Sequence, residues 1–402
     1  MAGNSVQLLH PVILDGLTMF LPRRFLSVSL LSALAMAGLV SIERNLFGVY
    51  YFSERAPQVE LYNLWHAWIA LSLSLAAVQG FTRDAAGLGA PVLRLASRRE
   101  LGICIVTWAL ATLMAVVFVI DPVDFSLLAR EDSLIEWVSA LLIFIASGFF
   151  AAVVAGQLRA ARRGAGRSAW IAAGAAALLA AGFFVIGMEE ISWMQRVFGF
   201  ATPEGLLVLN KQQELNLHNI STGLSELLYY TGSFLLLTLA PFIWLYLRKG
   251  ISFGRLDAFA PSVLVLAASA PMAAFNSDNW SMLPTQMMVI MTVIMLLAIA
   301  DMALRAGHWR EFIVLTAGAI LIVAIQELFI LQAWQLVRLW DPTEYKELFI
   351  ALGLAMYGVE TWSRLRFPAA NVSAAAGGTP NENTPPGDGV SELSENQRSQ
   401  AA

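Results

Sequence analysis

Ala169-Trp-Ile-Ala-Ala-Gly-Ala-Ala-Ala-Leu-Leu-Ala-Ala-Gly-Phe-Phe-Val-Ile-Gly-Met188 carries no charge and is followed at once by Glu189-Glu190-Ile-Ser192-Trp193-Met-Gln195-Arg196. About 20 apolar residues form a helix long enough to cross a hydrocarbon core of about 30 Å. With this run read as a span over 168–188, similar runs at 25–42, 61–81, 100–120, 134–158, 220–247, 258–275, 284–303, 311–333 and 345–363 bring the number to about ten. Lipid offers no water to an open backbone, so runs of this kind must be helices. The chain therefore reads as an all-α integral membrane protein. Residues 1–22 form a cytoplasmic N-terminal leader, 23–366 the polytopic transmembrane domain and 367–402 a cytoplasmic tail. The tail is rich in Ala, Gly, Pro, Asn, Ser and Glu, with too little apolar surface to fold.

Composition agrees with this class. Of 402 residues, 58% are hydrophobic and 13% charged, whereas a soluble domain carries about 25% charge. The single cysteine, Cys104, lies inside an apolar run, which excludes an internal disulfide and a thiolate metal site. The run Phe25–Ile42 is long for the core of a signal peptide and its leader is long for an n-region, so it reads as the first span. The basic connections are short and separate, and no phosphate-binding glycine loop is present, so nucleic acid is not an expected partner.

Charge sets the orientation. Arg23 and Arg24, the connections 82–99, 159–167, 248–257 and 304–310, and Arg364 and Arg366 fall on one side; together they hold 17 of the 25 Lys and Arg. The other side holds Arg44, Arg55, Arg130, Arg196, Lys211, Arg338 and Lys346. The positive-inside rule then places both termini in the cytoplasm, and a bacterial inner membrane is the expected location. The acids run the other way. Glu43, Glu54, Glu60, Asp121, Asp124, Glu131, Asp132, Glu136, Glu189, Glu190, Glu204, Glu214, Asp278, Asp341, Glu344 and Glu347 all fall on or beside outer connections. Trp65, Trp68, Trp137, Trp193, Trp280 and Trp340 lie there too, as an interfacial aromatic belt would.

Candidate chemistry centres on the block that follows the quoted run. Adjacent helical residues point about 100° apart, so only one of Glu189 and Glu190 faces the bundle; the other faces a loop or a second ligand. Neighbouring acids suit general acid–base work; the plainer reading is a pair capping the span in headgroup water. Glu214 and His218 are four apart at the start of the sixth span, on one helical face, with Asn216 and Asn219 beside or near it. A carboxylate and a neutral imidazole at this spacing can hold a divalent metal ion; a solvated helix start is the alternative. Arg196 either neutralises the acids or clamps a phosphate or carboxylate. Between these pairs, Ser192, Gln195, Phe198-Gly-Phe and the apolar run 205–209 suggest a short interfacial or re-entrant segment folded over the site. Supporting positions are Glu136 at the outer start of the fourth span, His66 at the outer end of the second, and Glu327, an acid within the ninth. An acid inside a span is a functional hypothesis in itself, here a proton carrier or a partner for Gln326 or Arg338. Asn276, Asp278 and Asn279 form a further small polar cluster.

The block Glu189-Glu190-Ile-Ser-Trp-x-Gln195-Arg196, Thr202-Pro203-Glu204 and Gln213-Glu214-x-Asn-Leu-His218-Asn219 resembles one found in bacterial multi-pass membrane proteins of no established activity. Glu131-Asp132-x-Leu-Ile-Glu136-Trp137 resembles another block of that group, and the likeness spans roughly 130–220. The resemblance implies a membrane architecture and no mechanism. The H-x-x-x-H of alkaline-ceramidase-like hydrolases is absent, as is the diagnostic acid pair of polyprenyl-phosphate-sugar glycosyltransferases. The residues lead to three readings. The first is a membrane enzyme with its site at the outer, periplasmic face, performing metal-assisted hydrolysis or group transfer on a lipid or lipid-linked substrate. The second is a secondary transporter, proton-coupled through Glu327; polar groups gathered at one rim rather than at the midplane count against it. The third is an assembly scaffold.

Overall fold

The computed structural model describes residues 34, 38, 41, 42, 45, 61–85, 97–130, 133–207, 215, 216, 220, 222–247, 252–276 and 283–366. Capping chemistry sets several of its boundaries. Helix α1 is Leu61–Ala85, and α2 is Arg98–Ile120. Ser97 starts α2 with a reciprocal pair: its hydroxyl accepts the Glu100 N–H at 3.2 Å while Glu100 Oε2 accepts the Ser97 N–H at 3.2 Å. Asp121 ends α2 and caps a short helix, α3 (Pro122–Leu128), accepting the N–H groups of Val123 and Asp124 at 2.9 and 3.1 Å. Pro122 fits there because the first helical position needs no N–H. Helices α4 (Leu134–Arg162) and α5 (Arg167–Glu190) form a hairpin. Gly164 and Gly166 make its turn with φ of 88° and 77°, a region that L side chains avoid.

Two tiny helices follow, α6 (Gln195–Phe198) and α7 (Glu204–Leu207). The next apolar run is one long rod with a defect: α8 (Thr222–Phe234), a π turn at Leu235–Leu239, and α9 (Ala240–Leu247). The run expected to be one helix over 258–275 is broken instead. It comprises a 3₁₀ segment at Gly254–Phe259, α10 (Val263–Ser269) and a second 3₁₀ segment at Ala270–Ala274. Pro261 and Pro271 explain the breaks, since each removes a backbone donor and crowds the preceding turn. With its amide nitrogen turned inward, Gln326 donates to the Ala273 and Ala274 carbonyls at 3.0 and 3.1 Å, meeting acceptors that the break exposes. Long helices α11 (Leu283–Arg305), α12 (Trp309–Leu331) and α13 (Asp341–Arg366) complete the bundle.

Eight segments among the described residues are long and apolar enough to cross a membrane, and no strand occurs among those residues. The fold is thus an all-α, multi-pass membrane protein. The eight correspond to the second to ninth expected runs; the first run, the leader and the tail lie mostly or wholly outside the described residues. The tenth run forms a helix but is not among the eight. Helix α13 carries Asp341, Glu344, Lys346, Glu347, Glu360, Arg364 and Arg366. It is nevertheless deeply buried: Tyr345, Phe349, Ile350 and Ala351 are all within 1% of zero exposure. Protein rather than lipid surrounds this helix, so it tolerates charge that a lipid-facing span would not.

Small residues let it sit close to its neighbours, as membrane packing requires. A Cβ at Gly358 would stand 3.1 Å from the Ala146 carbonyl, and one at Gly353 would stand 2.6 Å from Ser269 Cβ. Phe150 on α4 meets Phe183, Phe259 and Tyr357 at centroid distances of 5.6, 6.3 and 5.1 Å.

Candidate functional site

The start of α13 is fixed by a clamp onto α3. Arg338 Nε donates to Asp341 Oδ1 at 2.8 Å and its Nη2 donates to the Ser126 carbonyl at 3.1 Å. Tyr345 donates to the Phe125 carbonyl at 2.7 Å, and its ring stacks on Phe125 at 4.3 Å. Phe118, Phe275 and Phe329 pack around this pair. Asp341 is fully buried, so its pairing with Arg338 sets the register of the first turns of α13. That register presents Glu344, Lys346 and Glu347.

Four glutamates meet here. Glu190 is the last residue of α5 and lies within electrostatic reach of Glu347, Glu136 and Glu189. Glu344 in turn feels Glu347, Glu190 and Glu136. Glu136, Glu190, Glu344 and Glu347 are all half-buried, and they come from α4, α5 and α13. Two cations among the described residues are near: Arg338 lies within electrostatic reach of Glu344, and Lys346, 4% exposed, holds its Nζ 3.2 Å from the centroid of the Tyr230 ring. Tyr230 donates its hydroxyl to Glu347 Oε1 at 2.7 Å. Tyr229, beside it on α8, is within reach of Glu190 and Glu347, and its buried hydroxyl has no hydrogen-bond partner among the described residues. The arrangement can move protons between carboxylates and phenols, and it can offer a negative, partly dry surface to a substrate.

The two adjacent glutamates diverge. Glu190 is within electrostatic reach of the α4 and α13 carboxylates, whereas Glu189 Oε1 accepts the Trp193 Nε1–H at 2.6 Å. That bond closes a left-handed turn. Ser192, Trp193 and Met194 have φ of 45°, 54° and 64°, a conformation costing roughly 1–2 kcal/mol per residue. Asn216 Nδ2 donates to Ser192 Oγ at 3.2 Å and helps to hold it. Gln195 staples the loop: its Nε2 donates to Thr202 Oγ1 at 2.6 Å and to the Phe200 carbonyl at 3.2 Å, and its Oε1 accepts the Leu215 N–H at 2.6 Å. Gln195 and Asn216 therefore support the loop that follows α5.

Other expected positions fall apart from this cluster or outside what is described. Glu214, His218 and Asn219 lie outside the described residues, as do Asp278 and Asn279. Arg196 sits in α6, but its side chain is not among those described. His66 is buried on α1, the helix that packs against α11. Glu327 is exposed on α12, and the partners expected for it are engaged elsewhere: Arg338 with Asp341, and Gln326 with the Ala273 and Ala274 carbonyls. A helical rotation of 100° from Gln326 turns Glu327 out of the bundle. No group of three or more His, Cys, Asp or Glu among the described residues could hold a metal ion. The four glutamates thus do not by themselves fit a divalent-ion site.

Sequence reasoning assigned no role to Glu344, Lys346, Glu347, Tyr229 or Tyr230. Three charged residues at the head of the tenth run, Glu344, Lys346 and Glu347, were the available signal. No family model, curated protein or solved structure matches this chain.

Proposed function

We propose that this protein is an integral-membrane enzyme that performs acid–base hydrolysis or group transfer on a lipid or lipid-linked substrate, with Glu190 and Glu347 at its centre. The observation that carries this reading is the gathering of four half-buried glutamates from three helices at one end of the bundle, beside Tyr229, Tyr230 and Lys346. Grouped carboxylates titrate as a set, so one serves as base while its neighbour serves as acid. A rim site suits a substrate that resides in the bilayer, because reacting head groups lie at the depth of the helix ends. We extend the reading to ten spans with cytoplasmic termini and an outward-facing site in a bacterial inner membrane, on the strength of the arginine and lysine distribution. A divalent ion would rest on Glu214 and His218. Metal analysis of purified wild type, Glu214→Gln and His218→Ala tests that part: metal in the wild type, lost in both variants, is the expected result.

The test of the enzyme reading is product formation. Nanodisc-embedded protein incubated with isotope-labelled membrane-lipid extract should release a labelled product, seen by mass spectrometry. Glu190→Gln and Glu347→Gln should each slow release by about a hundredfold, the scale of a lost general acid or base. Equal product from wild type and both variants refutes the assignment. A transporter is the second reading, favoured by the π turn at Leu235–Leu239 and the broken helix over 254–274, since irregular helices recur at transport sites. It predicts Glu190-dependent proton flux in proteoliposomes, with no product.

A further inference from the structure

Beside Tyr230 and Lys346 lies a shallow, open-mouthed cleft with enclosed room for about one water-sized group, between α8, the second 3₁₀ segment, α11 and α13. Its walls are mostly apolar, from Phe234, Met272, Met288 and Ile350, but Tyr230, Asn276, Thr292 and Lys346 line it as well. Asn276 is 4% exposed, and its orientation is fixed by Nδ2 donating to the Ala273 carbonyl at 3.2 Å. Its Oδ1 is buried with no hydrogen-bond partner among the described residues. A buried acceptor left unpaired costs about 1–3 kcal/mol, so a ligand that donates to it gains a favourable hydrogen bond. Thr292 gives its own proton to the Met288 carbonyl at 2.7 Å, which leaves its oxygen an acceptor. Lys346 is the donor, and it lies next to Glu347 along the chain.

We infer that this cleft binds the hydroxyl head of a neutral lipid alcohol. A hydroxyl both donates and accepts, so Asn276 Oδ1 takes its proton while Lys346 donates to its oxygen. The carbons of the chain leave through the open mouth, past the apolar wall. An anionic head group fits less well: it would bring its charge beside a cluster of carboxylates and against the unpaired Asn276 Oδ1 acceptor. The inference rests on the enzyme reading only for its meaning, because a lipid alcohol held beside Glu347 would be the acceptor in a group transfer.

Equilibrium binding of tritiated oleyl alcohol to the full-length protein in detergent-free nanodiscs tests it. Saturable binding is expected, displaced by unlabelled oleyl alcohol. Glycerol, which has hydroxyls without a chain, and oleate, which has the chain with an anionic head, should each compete at least tenfold less well. Asn276→Leu should weaken binding about tenfold, the loss of one buried hydrogen bond. Met288→Trp, which fills the apolar wall, should abolish binding and serves as the deciding variant if Asn276→Leu does not fold. Competition by oleate or glycerol equal to that of the alcohol, or wild-type affinity in a folded variant, overturns the assignment. Because binding is read without turnover, the two readings fail separately. Saturable, Asn276-dependent binding in a protein that forms no product supports the site and sinks the enzyme; product without saturable alcohol binding overturns the site alone.

Discussion

Tyr230 does two things at once, and they can be separated. Its ring lies under the Lys346 ammonium and its hydroxyl is donated to Glu347. The ring holds a cation that is almost wholly buried, at a contact worth up to about 2 kcal/mol when desolvated. The hydroxyl orients one carboxylate of the proposed acid–base set. Tyr230→Phe keeps the ring and deletes the hydroxyl, so thermal stability should change little while product formation slows by about tenfold, the scale of one hydrogen bond to a charged group. Equal turnover in wild type and Tyr230→Phe would show that Glu347 does not depend on this bond. Neither residue could be paired from the chain alone, because 117 positions separate them. Glu189, Glu190 and Glu136 were legible as polar residues flanking apolar runs, since a charge at the edge of a 20-residue run is conspicuous. Lys346 and Glu347 were equally conspicuous, but their burial depends on which neighbours surround α13, and a one-dimensional pattern does not carry that information.

The same contrast holds at the level of elements. Lengths and approximate ends of the helices follow from apolar runs, capping pairs such as Ser97 with Glu100, and glycines such as Gly164 and Gly166. The helix defects follow from prolines: the π turn at Leu235–Leu239 holds none itself, but Pro241 cannot donate to the Leu237 carbonyl, which instead faces Ser269 Oγ at 3.5 Å while the Leu237 side chain packs against Gly353. The left-handed turn at Ser192–Met194, by contrast, is hidden, because none of its three residues is glycine. It persists because Glu189, Asn216 and the Met194 N–H bond to the Ile191 carbonyl at 2.9 Å hold it. Strain of this kind gathers where function fixes a backbone, and here it turns the chain away directly after Glu190. Met194, with φ of 64° and ψ of 12°, offers a test. Met194→Gly should raise stability by about 1 kcal/mol by relieving the left-handed backbone, whereas Met194→Val should lower it by at least as much. Thermal melting of the two variants in one detergent reads the difference, and equal melting temperatures would mean that the turn is not held in solution.

For the whole molecule, the bundle reverses the usual relation between charge and exposure. The least apolar long helix, α13, is enclosed, while Trp65, Trp68, Trp137, Trp334 and Trp340 stand between 41% and 80% exposed on the outside. An enclosed helix bearing glutamates gives the proposed chemistry a site that opens at one end of the bundle. That end must face one compartment; it lies opposite the turn between α4 and α5, which the arginine pattern predicts to be cytoplasmic. Cysteine accessibility decides the matter, since Cys104 is the sole native thiol and is buried. In a Cys104→Ser background, Glu204→Cys reports the end carrying Glu190, and Arg163→Cys reports the other; both positions are exposed. A membrane-impermeant maleimide should label Glu204→Cys in right-side-out vesicles and Arg163→Cys only in inverted ones. The opposite pattern would place the glutamates in the cytoplasm and leave the acid–base proposal intact with its substrate drawn from the inner leaflet. Labelling of both from the same side would mean that α5 does not cross the bilayer, and the carboxylates could not then form a rim site.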